Sequence, residues 1–310
     1  MATPPTTPTP SSAPAAAVAV ASPGPSQQPA STKPSTFSLR RLPFLFFLTL
    51  ATFAFCYPLV WLVSASLKPR SQVFDNRLIP EVFQPENYVR IWDTAPVMRW
   101  LTNSLTVGFM AAAAVTLSSA LVAFGFAYFR FRGRNLLFGV LLSTMMLPGA
   151  VTMIPVYLIW NQLGMIDTQI PLWAQNLFGS AFYVFLLRQF FLGIPRELFE
   201  AARVDGCGYF GMFRRVAFPL CKPALVIVFV FEFKASWSDL MKPLIYLQTP
   251  EYFTMPRGLK QIIDAFALSG HYEWELAVAA SVIAVVPMII LFAFGQRYIL
   301  DGVATTAQKG

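Results

Sequence analysis

The side chains best suited to chemistry in this chain are few, and they gather in two places. Within an apolar stretch near residue 235, Glu232, Ser236 and Asp239 recur at i, i+4 and i+7, with Trp237 among them. On one helix they would form a polar stripe facing a central pathway, with an indole able to stack on a sugar ring. The same groups could instead satisfy neighbouring helices or reach the surface, as Asp239 and Lys242 could near the end of the stretch, because a charge at bilayer depth needs a partner or a wet cavity. Glu232 and Lys234 are two apart and face different ways round a helix, so they do not pair. The second place is the polar segment Glu200–Pro223, EAARVDGCGYFGMFRRVAFPLCKP. Pro195 suits the first turn of a helix, good helix formers run from Glu197 to Val204, and Gly206 stands where a C-cap is expected. Leu198, Ala201 and Ala202 give that helix an apolar face, leaving Glu197, Glu200 and Arg203 for water or a partner. It reads as a docking knob or as an amphipathic helix lying on a membrane surface.

Catalytic constellations are missing. The one histidine, His271, falls in an expected loop, and Cys56, Cys207 and Cys221 form no C-x-x-C pair and have no histidine cluster beside them. Neither a metal site nor a disulfide framework follows. No G-x-x-x-x-G-K-[ST] loop occurs, so the chain is not expected to bind ATP or any other cofactor itself. A membrane-embedded enzyme would need a convergent nucleophile, base or metal set. A secondary transporter would show paired midplane charges and repeated spans, and neither pattern stands out.

The elements that must hold these residues are membrane spans. Hydrophobic residues make up 56% of the 310 and charged residues only 12%, where an ordinary soluble domain carries about a quarter charged. Mean hydropathy is +0.56. The net charge of +8 does not point to nucleic acid, because the basic residues form no stripe with solvent-facing aromatics but sit beside hydrophobic spans. The fold class expected is an all-α polytopic membrane protein with about six transmembrane helices, near 43–66, 101–129, 136–160, 171–191, 217–247 and 276–300. Residues 1–36 are a Pro-, Ala-, Ser- and Thr-rich tract with a single charge, Lys33, expected to be a disordered leader rather than a signal peptide. Arg130, Arg132 and Arg134 after the second span, and Arg188, Arg196, Arg203, Arg214, Arg215 and Lys222 around the knob, assign those loops to the cytoplasm. Both termini then fall inside, in a multi-pass protein of the cell membrane.

The knob resembles the EAA loop of binding-protein-dependent ABC importers: Glu200-Ala201-Ala202, then Asp205-Gly206, then Pro219-Leu220 before the next span. Further segments are similar to the carbohydrate-type permeases, in particular the maltose-type second membrane subunit. They are SLKP at 66–69, PENY at 85–88, NSL at 103–105, FRFRGR at 129–134, MMLPGAVTMIPVY at 145–157, LGMIDT at 163–168, FLLRQFFLGIPRELFEAARVDGC at 185–207 and QRYILDGVATTAQKG at 296–310. The resemblance covers 43–310 and implies the type I ABC importer permease fold, with an EAA coupling loop at 195–223. It also implies that Glu200, Ala201, Ala202, Arg203, Asp205 and Gly206 couple to a separate ATPase subunit dimer. The tail, including Lys309 and Gly310, would reach into that dimer, and ATP and Mg would be bound there. A second permease subunit, an extracytoplasmic sugar-binding protein probed by the 248–275 loop, and a carbohydrate substrate are the other implied partners. One departure bears on the pathway: the family's fifth span usually reads Trp-Asn-Asp/Glu, where this chain has Trp237-Ser238-Asp239.

Overall fold

A computed structural model describes residues 42–269 and 273–307. The expected leader, His271, Lys309 and Gly310 lie outside the described residues. Every regular element among the described residues is helical, as the composition requires. Two compact units divide at Thr52 and Phe53, within the first helix α1 (Leu42–Ser66). In the first unit, residues 42–52 are helix with Leu42, Phe44, Phe46 and Phe47 exposed.

The second unit is organised round α3 (Val97–Tyr128), which follows a short α2 (Asn87–Thr94). Next come α4 (Arg134–Ser143), α5 (Gly149–Gln162), α6 (Ile170–Trp173), α7 (Ala181–Leu192) and α8 (Arg196–Val204). After α9 (Tyr209–Met212) and a π-helical turn at Phe213–Ala217 follow α10 (Phe218–Leu220) and α11 (Lys222–Trp237). The chain closes with α12 (Met241–Tyr246), α13 (Met255–Ser269) and α14 (Trp274–Ala307).

α3 can be central because its buried face is small: Gly108, Ala111, Ala112, Ser119, Ala120 and Ala123 let α7 and α11 approach closely. A methyl group on Gly108 would stand 3.1 Å from the Phe233 ring of α11. Side chains of greater bulk collect at the two ends of α3. Phe124 and Ala127 join Leu187, Phe191, Phe199 and Phe213 at one end, while Val97 and Trp100 join Phe253, Met255 and Leu276 at the other. From Trp100 to Phe124 the helix rises about 36 Å at about 1.5 Å per residue, so these clusters mark opposite ends of the bundle.

Among the described residues, three helices are long and apolar enough to cross a membrane, and there are up to six spans if each of three bent pairs counts as one. Each bend has a local cause. The third expected span turns 98° between Met146 and Gly149, where Leu147 is extended ahead of Pro148. The fourth bends by 42° at Gly179, whose φ of +78° suits glycine, and Ser119 on α3 receives the Ser180 N–H there at 3.1 Å. The fifth turns 79° between Leu220 and Lys222, ahead of Pro223. The expected fifth span of 217–247 needs correction: its helix stops at Trp237, and Met241–Tyr246 is a separate short helix. Asp239 is the reason, since its carboxylate accepts the Lys242 N–H at 3.2 Å and starts a new helix.

Candidate functional site

α8 is fixed at both ends. Pro195 is extended ahead of it, Glu197 lies in its first turn and Arg203 in its last, each with the sign the helix dipole favours. Past its C-terminus Gly206 adopts a φ of +77°, the Cys207 N–H bonds the Ala202 carbonyl at 2.9 Å, and the Gly206 N–H bonds that of Arg203 at 3.1 Å. This paired closure is the Schellman motif, and it satisfies carbonyls that would otherwise be orphaned.

The buried face of α8 is not the one expected. Leu198 and Ala201 are exposed, and Phe199 with Ala202 turns inward instead. The two candidate faces differ by one residue, about 100° of rotation, and the larger aromatic decides between them. Phe199 fits between Phe124 and Tyr128 of α3, with ring centroids 6.1 and 5.2 Å away. Consequently Glu197, Leu198, Glu200, Ala201 and Val204 all point outward, Val204 at 88% exposure. Glu200 forms no ion pair among the described residues, although Arg130, Arg196 and Arg203 line the same cavity of about 290 Å³. Asp205 and Gly206 are exposed at the closing turn.

The four expected pathway residues do not form one stripe. Asp239 lies beyond the end of α11, where its carboxylate also pairs with Lys242 at 3.7 Å. Trp237 is 6% exposed and stacked on Phe233 at 5.9 Å, in a cluster with Ala112 against which Leu101, Met288 and Leu291 pack, so its ring is buried in protein. Glu232 receives the Asn176 amide at 2.5 Å, which stitches α11 to the fourth span. Ser236 is half-buried near the end of α11. Of the two readings open at Glu232, helix-to-helix satisfaction is the one its contacts match.

Sequence reasoning assigned no role to two other features. A cavity of about 340 Å³ opens where α5 begins, lined by Thr152, Met153, Gln175, Lys242 and Tyr246. Its signal was Pro148-Gly149 inside an apolar run, since a broken span exposes backbone only where it lines a cavity. The second is Asp167, held at a φ of +59°, whose carboxylate accepts the Gln248 and Thr249 N–H groups at 2.8 Å each and the Thr249 hydroxyl. The Thr249 hydroxyl, then the Thr249 N–H, hold the Asp167 carboxyl below its ordinary pKa, with the Gln248 N–H adding to the effect against slight burial.

The loop after Thr249 is bound to α3 by a row of side chains. Trp100 Nε1 donates to the Pro250 carbonyl at 3.0 Å, and Asn103 donates to those of Glu251 and Phe253 at 2.8 and 2.9 Å. The Ser104 hydroxyl accepts the Met255 N–H at 2.7 Å. Gly258 lies flat on the Trp100 indole, where a methyl group would approach within 2.2 Å.

α8, closed at Asp205-Gly206, stands at the place of the knob in which the sequence resembles the EAA loop. Residues 104–304 match the family of binding-protein-dependent transport system inner membrane components. The chain belongs to that family. This permease is 31% identical over 279 residues to the arabinooligosaccharides transport system permease protein AraQ of Bacillus subtilis strain 168, covering 88% of this chain and 98% of AraQ. Its fold is similar to a chain in the crystal structure of a bacterial ABC transporter involved in import of the acidic polysaccharide alginate. That match has a TM-score of 0.73 at 23% identity, over 86% of this chain and 99% of the other. A second alginate transporter structure, in complex with an alginate pentasaccharide-bound periplasmic protein, matches at TM-score 0.58 and 16% identity, over 83% and 94% of the two chains. The permease is thus a multi-pass membrane component of a binding-protein-dependent transport system, with the fold class its sequence led us to expect.

Proposed function

We propose that this permease is one of two membrane subunits of an ATP-driven carbohydrate importer, and that α8 is its coupling helix to a separate ATPase dimer. One observation carries the reading. α8 is rigidly closed, is anchored to α3 through Phe199, and leaves Glu200 unpaired on an outward face that combines acidic residues with Leu198, Ala201 and Val204. An exposed face of that mixture suits a protein partner rather than water. ATP and Mg²⁺ are bound by the partner, with the α8 end in the cytoplasm, both termini on that side, and Lys309-Gly310 reaching the ATPase. The opposite end, from Thr249 through α13, receives an extracytoplasmic binding protein. AraQ is named for arabinooligosaccharides, which supports a carbohydrate as the cargo here.

α3 supplies the mechanism. It touches α8 through Phe124 and Tyr128, and it carries the opposite loop on Trp100, Asn103 and Ser104. Closure of an ATPase dimer against α8 therefore tilts one stiff helix whose far end is bound to the receptor-facing loop. Gln175, Lys242 and Tyr246, at the break in the spans, line the cavity through which a polar cargo would pass. The test is purification of the full chain with its partners in mild detergent, alongside Glu200→Arg. Co-purification of an ATPase and a second permease, with the ATPase and uptake lost in the variant, is expected. Full ATPase retention and uptake in the variant would refute the assignment.

A further inference from the structure

At the α8 end, beside the coupling surface, the turn after α3 and the end of α7 border an open crevice of about 700 Å³. Arg130, Arg132, Arg134 and Arg196 line it, and no carboxylate does. None of the four forms an ion pair among the described residues. Gly133, at a φ of +84°, makes the turn that gathers three of them, and Arg134 is steadied by a 3.4 Å hydrogen bond from its guanidinium to the Phe129 carbonyl. One turn deeper on α7 stands Arg188, whose guanidinium covers the Phe138 ring at 4.4 Å. Its Nε is buried with no hydrogen-bond partner. Beside the arginines the wall is apolar, with Leu136 at 73% exposure and Leu192 at 47%, and α4 continues outward with Leu137 and Val140 exposed.

A topology signal alone would need only basic residues in a loop. Here four arginines line one crevice with no carboxylate beside them, and they border an exposed apolar surface. We infer that this crevice is a binding site for the phosphate of an anionic phospholipid in the leaflet on the α8 side, with guanidinium groups holding the phosphate and Leu136 and Leu192 flanking the acyl chains. Arg130 and Arg196 also line the cavity that holds Glu200, so a bound phosphate lowers the positive potential beside the coupling face. The site depends on the membrane location of the chain and not on the identity of its cargo or its ATPase.

Native mass spectrometry of the full-length chain, with whatever partner chains co-purify, tests this with phosphatidylglycerol and with phosphatidylcholine of the same acyl chains. Phosphatidylglycerol is expected to be retained preferentially. Arg132→Gln with Arg134→Gln should lower its affinity about twenty-fivefold, at about fivefold for each arginine. Arg132→Lys with Arg134→Lys preserves the charge on which membrane topology depends but not the bidentate contacts, and should lose about threefold. Arg214→Gln with Arg215→Gln, removing equal charge from exposed positions outside the crevice, should leave retention unchanged. Equal retention of both lipids by the natural chain would overturn the inference, as would an equal loss in the Arg214/Arg215 variant. Displacement of phosphatidylglycerol by inorganic phosphate at equal concentration would overturn the lipid assignment by showing a site for a free anion.

Discussion

The two ends of α3 are built differently. At the α8 end the contacts are aromatic and greasy: Phe199 between Phe124 and Tyr128, Tyr209 against Phe129 at 5.0 Å, and a left-handed glycine closing the turn. At the other end the contacts are directional. Trp100, Asn103 and Ser104 bond the backbone of the 250–255 segment, and Asn87 donates to the Ser66 and Lys68 carbonyls at 2.9 and 3.0 Å. Lys68, itself 1% exposed, donates to the Asp75 and Arg77 carbonyls, and Arg90 reaches Glu273 at 3.0 Å and the buried Glu275 at 3.6 Å. Aromatic packing draws mainly on buried apolar area, whereas hydrogen bonds to the backbone fix a register. The comparison teaches that α8 is seated on α3 by side-chain packing, while the far loop is held to α3 by hydrogen bonds to its backbone.

The largest effect should come from disturbing the fixed end. Gly258→Ala drives a methyl group into Trp100, which is 2% exposed and cannot move aside, and is expected to destabilise the protein by about 3 kcal/mol or more, read as a lowered melting temperature in detergent. Phe199→Ala comes next. It should cost about 3 kcal/mol locally at α8 and abolish ATPase retention, while proteolysis of the far loop stays at the rate of the natural chain. If both ends loosen together in that variant, the ends are not mechanically distinct in the way described. Asn103→Ala removes two hydrogen bonds to the 251–253 backbone and should cost about 2 kcal/mol, seen as faster proteolytic cleavage near Tyr252 with ATPase retention unaffected.

The smallest effect belongs to Asp167. Because its folded-state pKa is lowered, its contribution is fully present above the ordinary aspartate value of about 3.9 and is lost as pH falls through the lower folded value. Loop protection should therefore be flat from neutral pH down to about pH 4 and decline only below it. Asp167→Asn should weaken the loop by about 1 kcal/mol and remove that acid-side decline. A decline between pH 5 and 7 in the natural chain would assign the latch to another group.

Much of this was legible in the sequence, for reasons that also explain what was not. Six apolar stretches are visible because lipid imposes length and hydropathy, and the knob is visible because Pro195 and Gly206 bracket good helix formers. The face of α8 was misread because nine residues offer both Leu198/Ala201 and Phe199/Ala202, and only the pocket made by Phe124 and Tyr128 chooses between them. Trp237 looked like a sugar-stacking surface because spacing cannot reveal that it is buried and stacked on Phe233. Asp167 carried no local signal at all, since its partners are 81 and 82 residues away. The helix break at Ser238 was present in the text of the chain as Asp239 and Pro243, yet the apolar residues around them read as one span.

The most direct test of the coupling claim is cysteine cross-linking in the assembled complex, from two positions on the permease whose native cysteines are replaced by serine. Val204→Cys, on the outward face of α8 at 88% exposure, should cross-link to the ATPase, and Leu268→Cys, on α13 at 90% exposure, should not. ATPase captured from position 268, or from neither position while Val204→Cys remains active in transport, would contradict the assignment of α8 as the coupling helix.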